Sequence, residues 1–247
     1  LYTMKRVNFI TTINYADCIS DQAAAFLPFY IKSAKAMDCL VSNRILLIDY
    51  HDGYLPYVPD DFPFSNDNVV KDIDYCVKNL FSEEQIKDIR EIDSAFYSFL
   101  KTLSNEQKTQ CILHTDLCMF INGNNTLLHR TIMPYVLDVN GDVWLSLCAF
   151  TFSSRANTGN AIIKMKRSKC HYQYNNGCWN ISTNTELTEI ESRILSLSTT
   201  GLSARQIGSF MHLSEATIKS HKQAIFKKLG VLNISQAISY VANYDLL

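Results

Sequence analysis

The chain has 247 residues, of which 47% are hydrophobic and 19% are charged, and its formal net charge is −1. This length exceeds the usual size of one domain and predicts two, and the apolar content excludes an intrinsically disordered protein. A net charge near zero argues against nucleic-acid binding by the whole surface, so such a contact would need one locally basic element. The apolar runs are far shorter than the roughly 20 residues of a membrane span, and the N-terminus lacks the apolar core of a signal peptide. We therefore expect a cytoplasmic protein without membrane contact.

The eight cysteines predict neither a metal site nor a disulfide framework. None of them forms a Cys-x-x-Cys pair, and the shortest spacings are those of Cys111 with Cys118 and of Cys170 with Cys178. Zinc-binding cysteines usually come in closer pairs. We expect reduced cysteines that lie mostly in the core, where a thiol behaves as a small hydrophobe.

The first half of the chain predicts mainly helices and one pair of strands. In chain order these are a helix over 16–37 interrupted near Pro28, a strand over 44–50, a turn at 51–53, a strand over 54–58, and helices over 69–80 and 82–103. Two Ser-x-x-Gln patterns, Ser82 with Gln85 and Ser104 with Gln107, are typical of the capping box that begins a helix.

The following segment predicts an antiparallel meander. Strand-like runs occupy 116–121, 126–139, 143–152 and 161–173, and Asn-Gly dipeptides lie at 122–123, 140–141 and 176–177. Asn-Gly is a strong hairpin signal because both residues tolerate the positive φ of a type I′ turn. The acidic residues around Asn140 resemble part of a calcium loop but lack its full spacing and its terminal Glu. A hairpin turn is therefore the better interpretation there.

A short polar stretch at 181–186 predicts a linker between two domains. The domains are then residues 1–180 and residues 187–247. The first reads as α+β, with an antiparallel sheet and helices, and the second as all-α.

The second domain begins with three helices that each have a cap. The signals in chain order are Thr188-x-x-Glu191 for the first start, Gly201 for its end, Ser203-x-x-Gln206 for the second start, and Ser214 for the third. A Glu or Gln three residues after a Ser or Thr is the capping-box pattern, and a glycine just past a helix is its common end.

The third helix combines an apolar face with a polar, basic one. Ile218, Ile225 and Leu229 recur at helical spacing and predict the buried face. The opposite face carries Lys219, Ser220, Gln223 and Lys227. From 215 to 229 the segment has one acidic residue and four lysines. A helix of this kind after a tight turn is suited to the major groove of DNA.

These residues resemble the LuxR-type, or GerE-like, helix-turn-helix domain over roughly the last quarter of the chain. The matching motif is Leu187-Thr188, Glu191, Gly201-x-Ser203, Ser214-x-x-Thr217-Ile218-Lys219-x-His221 and Lys228-Leu229-Gly230-Val231-x-Asn233. Three positions depart from the family: Ile190 and Ile234 replace the usual Arg, and Gln206 replaces the usual Glu. The resemblance implies a four-helix domain that binds double-stranded DNA, with a fourth helix near 235–243 that supports a homodimer. RNA polymerase is a candidate partner of such a regulator.

Side-chain chemistry assigns roles within the third helix. For contact with base edges we expect Lys219, Ser220 and Gln223, since Lys donates to guanine and Gln pairs with adenine. For contact with phosphates, which set register and carry salt-dependent affinity, we expect Thr217, Lys222 and Lys227. His221 lies one turn from buried positions, and we expect it to pack rather than to read a base.

The first domain resembles a PAS fold over about residues 20–180, with a leading helix, two strands, helices and three long antiparallel strands. The resemblance implies a sensor that binds a small molecule, or a ligand-free interaction module. The sequence carries no flavin, haem or metal signature, because the flavin-photosensor motif is absent and the candidate haem ligands His114 and His129 are better explained as core or surface histidines. A small-molecule ligand remains the candidate cofactor.

Three other classes are weighed against this interpretation. A divergent receiver domain would place its phosphorylated Asp at the end of the strand over 45–49, but the Asn-Gly meander is wrong for alternating β/α order. The residue constellation of an acyl-homoserine-lactone domain is not evident. An enzyme is not expected, because the chain has no phosphate loop, nucleophile elbow or His-Glu-x-x-His helix. The expected function is that of a sequence-specific transcriptional regulator, with a protein-interaction module as the alternative role for the first domain.

Overall fold

A computed structural model describes residues 25–41, 44–62, 72–155, 157–166, 171–182 and 187–244. Within these ranges the helices are α1 (Leu27–Leu40), α2 (Ile73–Leu80), α3 (Glu83–Leu100), α4 (Asn105–Lys108), α5 (Glu189–Thr199), α6 (Ala204–Met211), α7 (Glu215–Leu229) and α8 (Ile234–Asn243). The strands are β1 (Arg44–Asp49), β2 (Tyr54–Tyr57), β3 (Cys111–Ile121), β4 (Asn124–Leu137), β5 (Val143–Phe152), β6 (Ala161–Met165), β7 (His171–Asn175) and β8 (Cys178–Ser182). The predicted α+β class is confirmed.

The strands form one eight-stranded sheet in the order β2-β1-β5-β4-β3-β6-β7-β8. Every strand pairing in the sheet is antiparallel. A receiver domain needs a parallel sheet with alternating helices, so that alternative for the first domain is wrong. The order of a helix, two strands, further helices and three long strands is as the sequence predicts.

Helices cover both faces of the sheet. On one face, α2 and α3 pack through residues such as Leu80, Phe96 and Leu100. On the other, α1 packs near Trp144 at the β1–β5 end. The first domain therefore has two apolar layers separated by a single sheet.

Several predicted boundaries change in the structure. The run at 161–173 is not one strand, because β6 ends at Met165 and β7 begins at His171. The strand predicted from 116 begins five residues earlier, at Cys111. The predicted linker overlaps β8, which extends to Ser182, and its positions 183–186 lie outside the described residues. β8 continues into the polar stretch because its residues up to Ser182 pair with β7.

Turns and helix starts follow the predicted chemistry with one exception, at Asn140. Asn122 and Asn176 have positive φ, as a type I′ turn requires. Asn140 does not, and only Gly141 after it does, because the Asp138 carboxylate accepts from the Asn140 amide at 2.8 Å and holds a different turn. A turn at Phe26 separates the helical residue Ala25 from α1, so the predicted interruption near Pro28 is confirmed. Pro28 itself lies in the first turn of α1, where a missing N–H costs nothing, and positions 16–24 lie outside the described residues.

The four C-terminal helices pack around one core, which also includes Ile162 of β6. Ile194, Ile207, Ile218 and Ile225 are fully buried in it. The predicted caps form, with complete capping boxes at Thr188 and Ser203. None of the described helices is long and apolar enough to cross a membrane. Of the described cysteines, all are free; Cys76, Cys111 and Cys148 are buried, whereas Cys39 and Cys178 are exposed.

Candidate nucleic-acid interface

The turn between α6 and α7 is tight and sets how the two helices meet. His212 has a left-handed backbone, with φ of 57°, and the Leu213 amide donates to the Gly208 carbonyl at 2.9 Å. A Cβ atom on Gly208 would lie 2.6 Å from the Leu213 carbonyl oxygen. The Ser214 hydroxyl then accepts from the Thr217 amide at 3.0 Å and begins α7. Only glycine permits so tight a turn at position 208.

Helix α7 presents the predicted polar face to solvent. Ile218, Ile225 and Leu229 are buried on its inner side. Of the six predicted site residues, Lys219, Ser220, Gln223 and Lys227 are exposed, and Thr217 and Lys222 are half-buried. Burial lowers the pKa of Lys222. The structure thus brings all six together on one helix, with the four most exposed on its outer face. His221 is half-buried.

Lys219 is paired in the DNA-free chain. Its ammonium lies 2.7 Å from the Glu215 carboxylate one turn earlier, and this hydrogen bond lowers the pKa of Glu215. Both side chains are exposed, so the pair contributes little stability. A base or phosphate that binds Lys219 would replace Glu215 as its partner.

The scaffold keeps its polar contacts despite the three departures from the family pattern. Glu191 caps the Thr188 amide at 2.7 Å and accepts from Lys228 at 2.9 Å. Although burial alone would raise the pKa of Glu191, these hydrogen bonds and the charge of Lys228 lower it. Gln206 caps Ser203 through a 2.9 Å hydrogen bond. Ile190 is 45% exposed and therefore leaves no buried position unfilled.

Helix α8 is largely occupied within the chain. Ala237 and Val241 lie on the helix that the family resemblance implies for dimerisation, and both are buried in the core of the C-terminal helices. Tyr240 and Tyr244 are almost completely buried against the sheet of the first domain. What stays partly accessible on α8 includes Ile238 and Ser239.

The sequence interpretation missed a buried polar cluster beneath α8. His114 and His129, interpreted as separate core or surface histidines, have ring nitrogens 3.1 Å apart. His129 also contacts Asp116 at 3.0 Å, and Tyr244 donates to the same carboxylate at 3.2 Å. Asp116 and Tyr244 are 128 positions apart in the chain. No local spacing could have indicated this contact.

A cavity of about 90 Å³ lies on the opposite face of the sheet, beneath α2 and α3. Its lining is mostly apolar, and its charged groups are Asp93 and Arg130. Arg130 donates to both oxygens of Asp93, at 3.0 and 2.5 Å, and to the Thr115 hydroxyl at 2.9 Å. The volume exceeds the roughly 10–15 Å³ that one water needs but is smaller than the roughly 300–1,000 Å³ of a drug-sized pocket. It suits a ligand of a few heavy atoms.

Comparison with known proteins assigns the C-terminal segment. Residues 185–241 match the family described as GerE, bacterial regulatory proteins of the luxR family. The Fimbriae Z proteins of Escherichia coli strain K12 and of E. coli O157:H7 are each 37% identical to this chain over 78 residues. That stretch is 31% of this chain and 37% of each relative. The chain therefore carries a GerE/LuxR-family helix-turn-helix domain and spans about a third of the length of these curated relatives.

Solved structures give weaker likenesses. The response regulator ChrA of a haem-sensing two-component system is 39% identical over 25% of this chain and 30% of its own, with a TM-score of 0.24. A phage VqmA in complex with DPO is 13% identical over 89% and 91%, with a TM-score of 0.36. A Vibrio cholerae VqmA dimer without target DNA is 13% identical over 87% and 88%, with a TM-score of 0.33. TM-scores this low say nothing about a shared ligand or mechanism.

Proposed function

We propose that this chain is a sequence-specific DNA-binding transcriptional regulator in which α7 enters the major groove. The observation that carries the proposal is the outer face of α7, where two lysines, a serine and a glutamine are exposed within a segment that matches the luxR family. The inner face of the same helix is fully packed, so the outer face is free to meet a partner. Lysine and glutamine are side chains that read base edges in that groove.

Within α7, the six residues divide into two groups with different proposed roles. Lys219, Ser220 and Gln223 read bases, while Thr217, Lys222 and Lys227 contact phosphates. The half-buried position of Lys222 supports its proposed role, because its ammonium has fewer accessible positions. The chain binds DNA as a homodimer, with two recognition helices separated by one turn of DNA, about 34 Å.

The first domain acts as a PAS-like sensor of a small molecule. The cavity beneath α2 and α3 supports this role, since it combines an apolar lining with one charged pair, the pattern of a ligand site. The alternative is a ligand-free interaction module, and it predicts that no small compound stabilises the chain. Residues 1–180 and 187–247 form the two proposed domains, with β8 extending the first to Ser182.

Selection of bound sequences from a random duplex pool tests the DNA-binding role. The full-length chain is used at one stated salt concentration, because affinity for DNA varies steeply with salt. We expect a symmetric pair of half-sites one helical turn apart. Recovery of a pool without any enriched sequence would contradict specific readout by α7.

A further inference from the structure

Two tyrosines attach α8 to the sheet of the first domain. Tyr240 and Tyr244 are 1% and 2% exposed, and their rings lie 4.4 Å apart, centroid to centroid. Arg155 donates to the Tyr240 hydroxyl at 3.0 Å, and its guanidinium carbon lies 5.0 Å from the centroid of that ring. Asn160 donates to the Tyr244 hydroxyl at 2.6 Å. Each buried hydroxyl is therefore held by the first domain.

The Tyr244 hydroxyl ends a chain of hydrogen bonds that runs along the face of the sheet beneath α8. Asp116 accepts from Tyr244 at one oxygen and from Ser153 and His129 at the other. Because the carboxylate can only accept, His129 donates through Nδ1 and accepts through Nε2 when neutral. His114 then donates from its Nδ1 to His129. Of these hydrogen bonds, only the one from Tyr244 to Asp116 requires α8 to be docked, since the others lie within the first domain.

On their other face, the same two strands carry Arg130, which pairs with Asp93 of α3 in the cavity. Asp116 is paired with His129 across β3 and β4, and Thr115 is paired with Arg130. Successive residues of a strand point to opposite faces. Arg130 therefore contacts Asp93 in the cavity while His129, its neighbour, contacts Asp116 beneath α8. In each strand, adjacent residues therefore belong to the two sites: Thr115 and Asp116 in β3, and Arg130 and His129 in β4.

We propose that Tyr240 and Tyr244 form an interdomain latch with Asp116, His129 and Arg155, and that this latch transmits a change at Arg130 in the cavity to the DNA-binding helices. The outer face of α7 stays exposed in the latched chain. The latch consequently does not block DNA but fixes how the helix-turn-helix domain is oriented on the sheet. The effect of the latch on DNA binding rests on the proposed function, whereas the latch itself does not.

The first test asks whether the tyrosine hydroxyls hold the two domains together. Backbone ¹⁵N relaxation of the DNA-free full-length chain reports the rotational correlation times of α7 and β4 separately. In the wild type we expect one shared value. In the Tyr240→Phe/Tyr244→Phe variant the docking equilibrium constant should fall at least about tenfold, the factor equivalent to 1.4 kcal/mol, and the α7 amides should tumble faster than those of β4.

Tyr174→Phe is the matched control, because its hydroxyl donates to Glu91 at 2.9 Å within the first domain. It should leave the shared correlation time unchanged. Unchanged correlation times and unchanged α8 amide shifts in the double variant would overturn the latch, as would separate tumbling in the wild type.

The second test asks whether the cavity communicates through the latch. Asp93→Asn removes the charge that holds Arg130 and leaves every latch residue in place. We expect it to shift the amide resonances of α8 in the wild-type and Tyr174→Phe backgrounds, and we expect those shifts to be lost in the Tyr240→Phe/Tyr244→Phe background. Shifts that persist in that background, or that are absent from the wild type, would overturn transmission through the latch.

Both tests are made without DNA, so they separate the latch from the proposed function. A chain that passes both but enriches no duplex from a random pool keeps the latch and loses the DNA-binding proposal. A chain that enriches a duplex but fails the first test loses the latch alone.

Discussion

At the scale of single residues, the roles proposed for α7 divide groups that would read bases from groups that would bind phosphate. Lys219→Ala or Gln223→Ala should relax the base preference at one position by about 1–3 kcal/mol, because each removes a base-edge contact. Lys227→Ala should weaken all duplexes alike and reduce the salt slope by about one. Binding titrations of selected and scrambled duplexes at several salt concentrations distinguish the two patterns. Equal losses of specificity in all three variants would contradict the assignment.

Glu215 lies beside these groups and holds the Lys219 ammonium at 2.7 Å. Glu215→Ala should raise affinity for selected and scrambled duplexes alike, by a few-fold, because it frees Lys219 and removes a negative charge near phosphate. Glu189→Ala makes the same charge change in the first turn of α5 and serves as the control in the same titrations. An unchanged or lower affinity in Glu215→Ala would show that Lys219 stays paired with Glu215 when the chain binds DNA.

At the scale of elements, the turn between α6 and α7 depends on Gly208, which has no positive φ but has no room for a side chain. Because a Cβ on Gly208 would lie 2.6 Å from the Leu213 carbonyl oxygen, Gly208→Ala should lower the free energy of unfolding by about 1–3 kcal/mol, as overpacking does. Ser209→Ala, at the exposed neighbouring position, should change it little. Urea denaturation measures both, and equal stability of the two variants would contradict the tight turn.

Local sequence predicts an element well where one side chain satisfies a nearby backbone hydrogen-bonding group. The caps at Thr188, Ser203 and Ser214 form as predicted, because each hydroxyl meets an amide within three residues. The division of the 161–173 run into β6 and β7 was not predictable, since it depends on pairing with β3 and β8. The exposed face of α7 was predictable from the helical spacing of its buried residues Ile218, Ile225 and Leu229. The cluster at Asp116 was not, because its partners come from distant parts of the chain.

At the scale of the whole molecule, buried histidines make stability depend on pH. Burial, together with the charges of His129 and Lys164, lowers the pKa of His114 well below its usual value; burial and Lys164 also lower the pKa of His171. The unfolded chain therefore takes up these protons first as the pH falls. Stability should be complete above about pH 6.5 and fall below it, by up to about 1.4 kcal/mol per pH unit for each histidine.

Urea denaturation at several pH values between about 7 and 5 measures this dependence. His114→Phe should reduce the slope, whereas His212→Asn, at an exposed left-handed position, should leave it unchanged. A slope that is the same in His114→Phe as in the wild type would show that the proton is taken up elsewhere. Asp116 adds a separate loss at more acidic pH: although burial raises its pKa, the His129 and Ser153 hydrogen bonds and the charges of His129 and Arg155 lower it overall.

The central claim is that the full-length chain recognises a DNA sequence through α7. The most direct measurement is the equilibrium affinity for a selected duplex and for its scrambled counterpart at the same salt concentration. A specific regulator should bind the selected duplex at least about 10³-fold more tightly, and this ratio should fall in Lys219→Ala. Equal affinities for the two duplexes would contradict the claim.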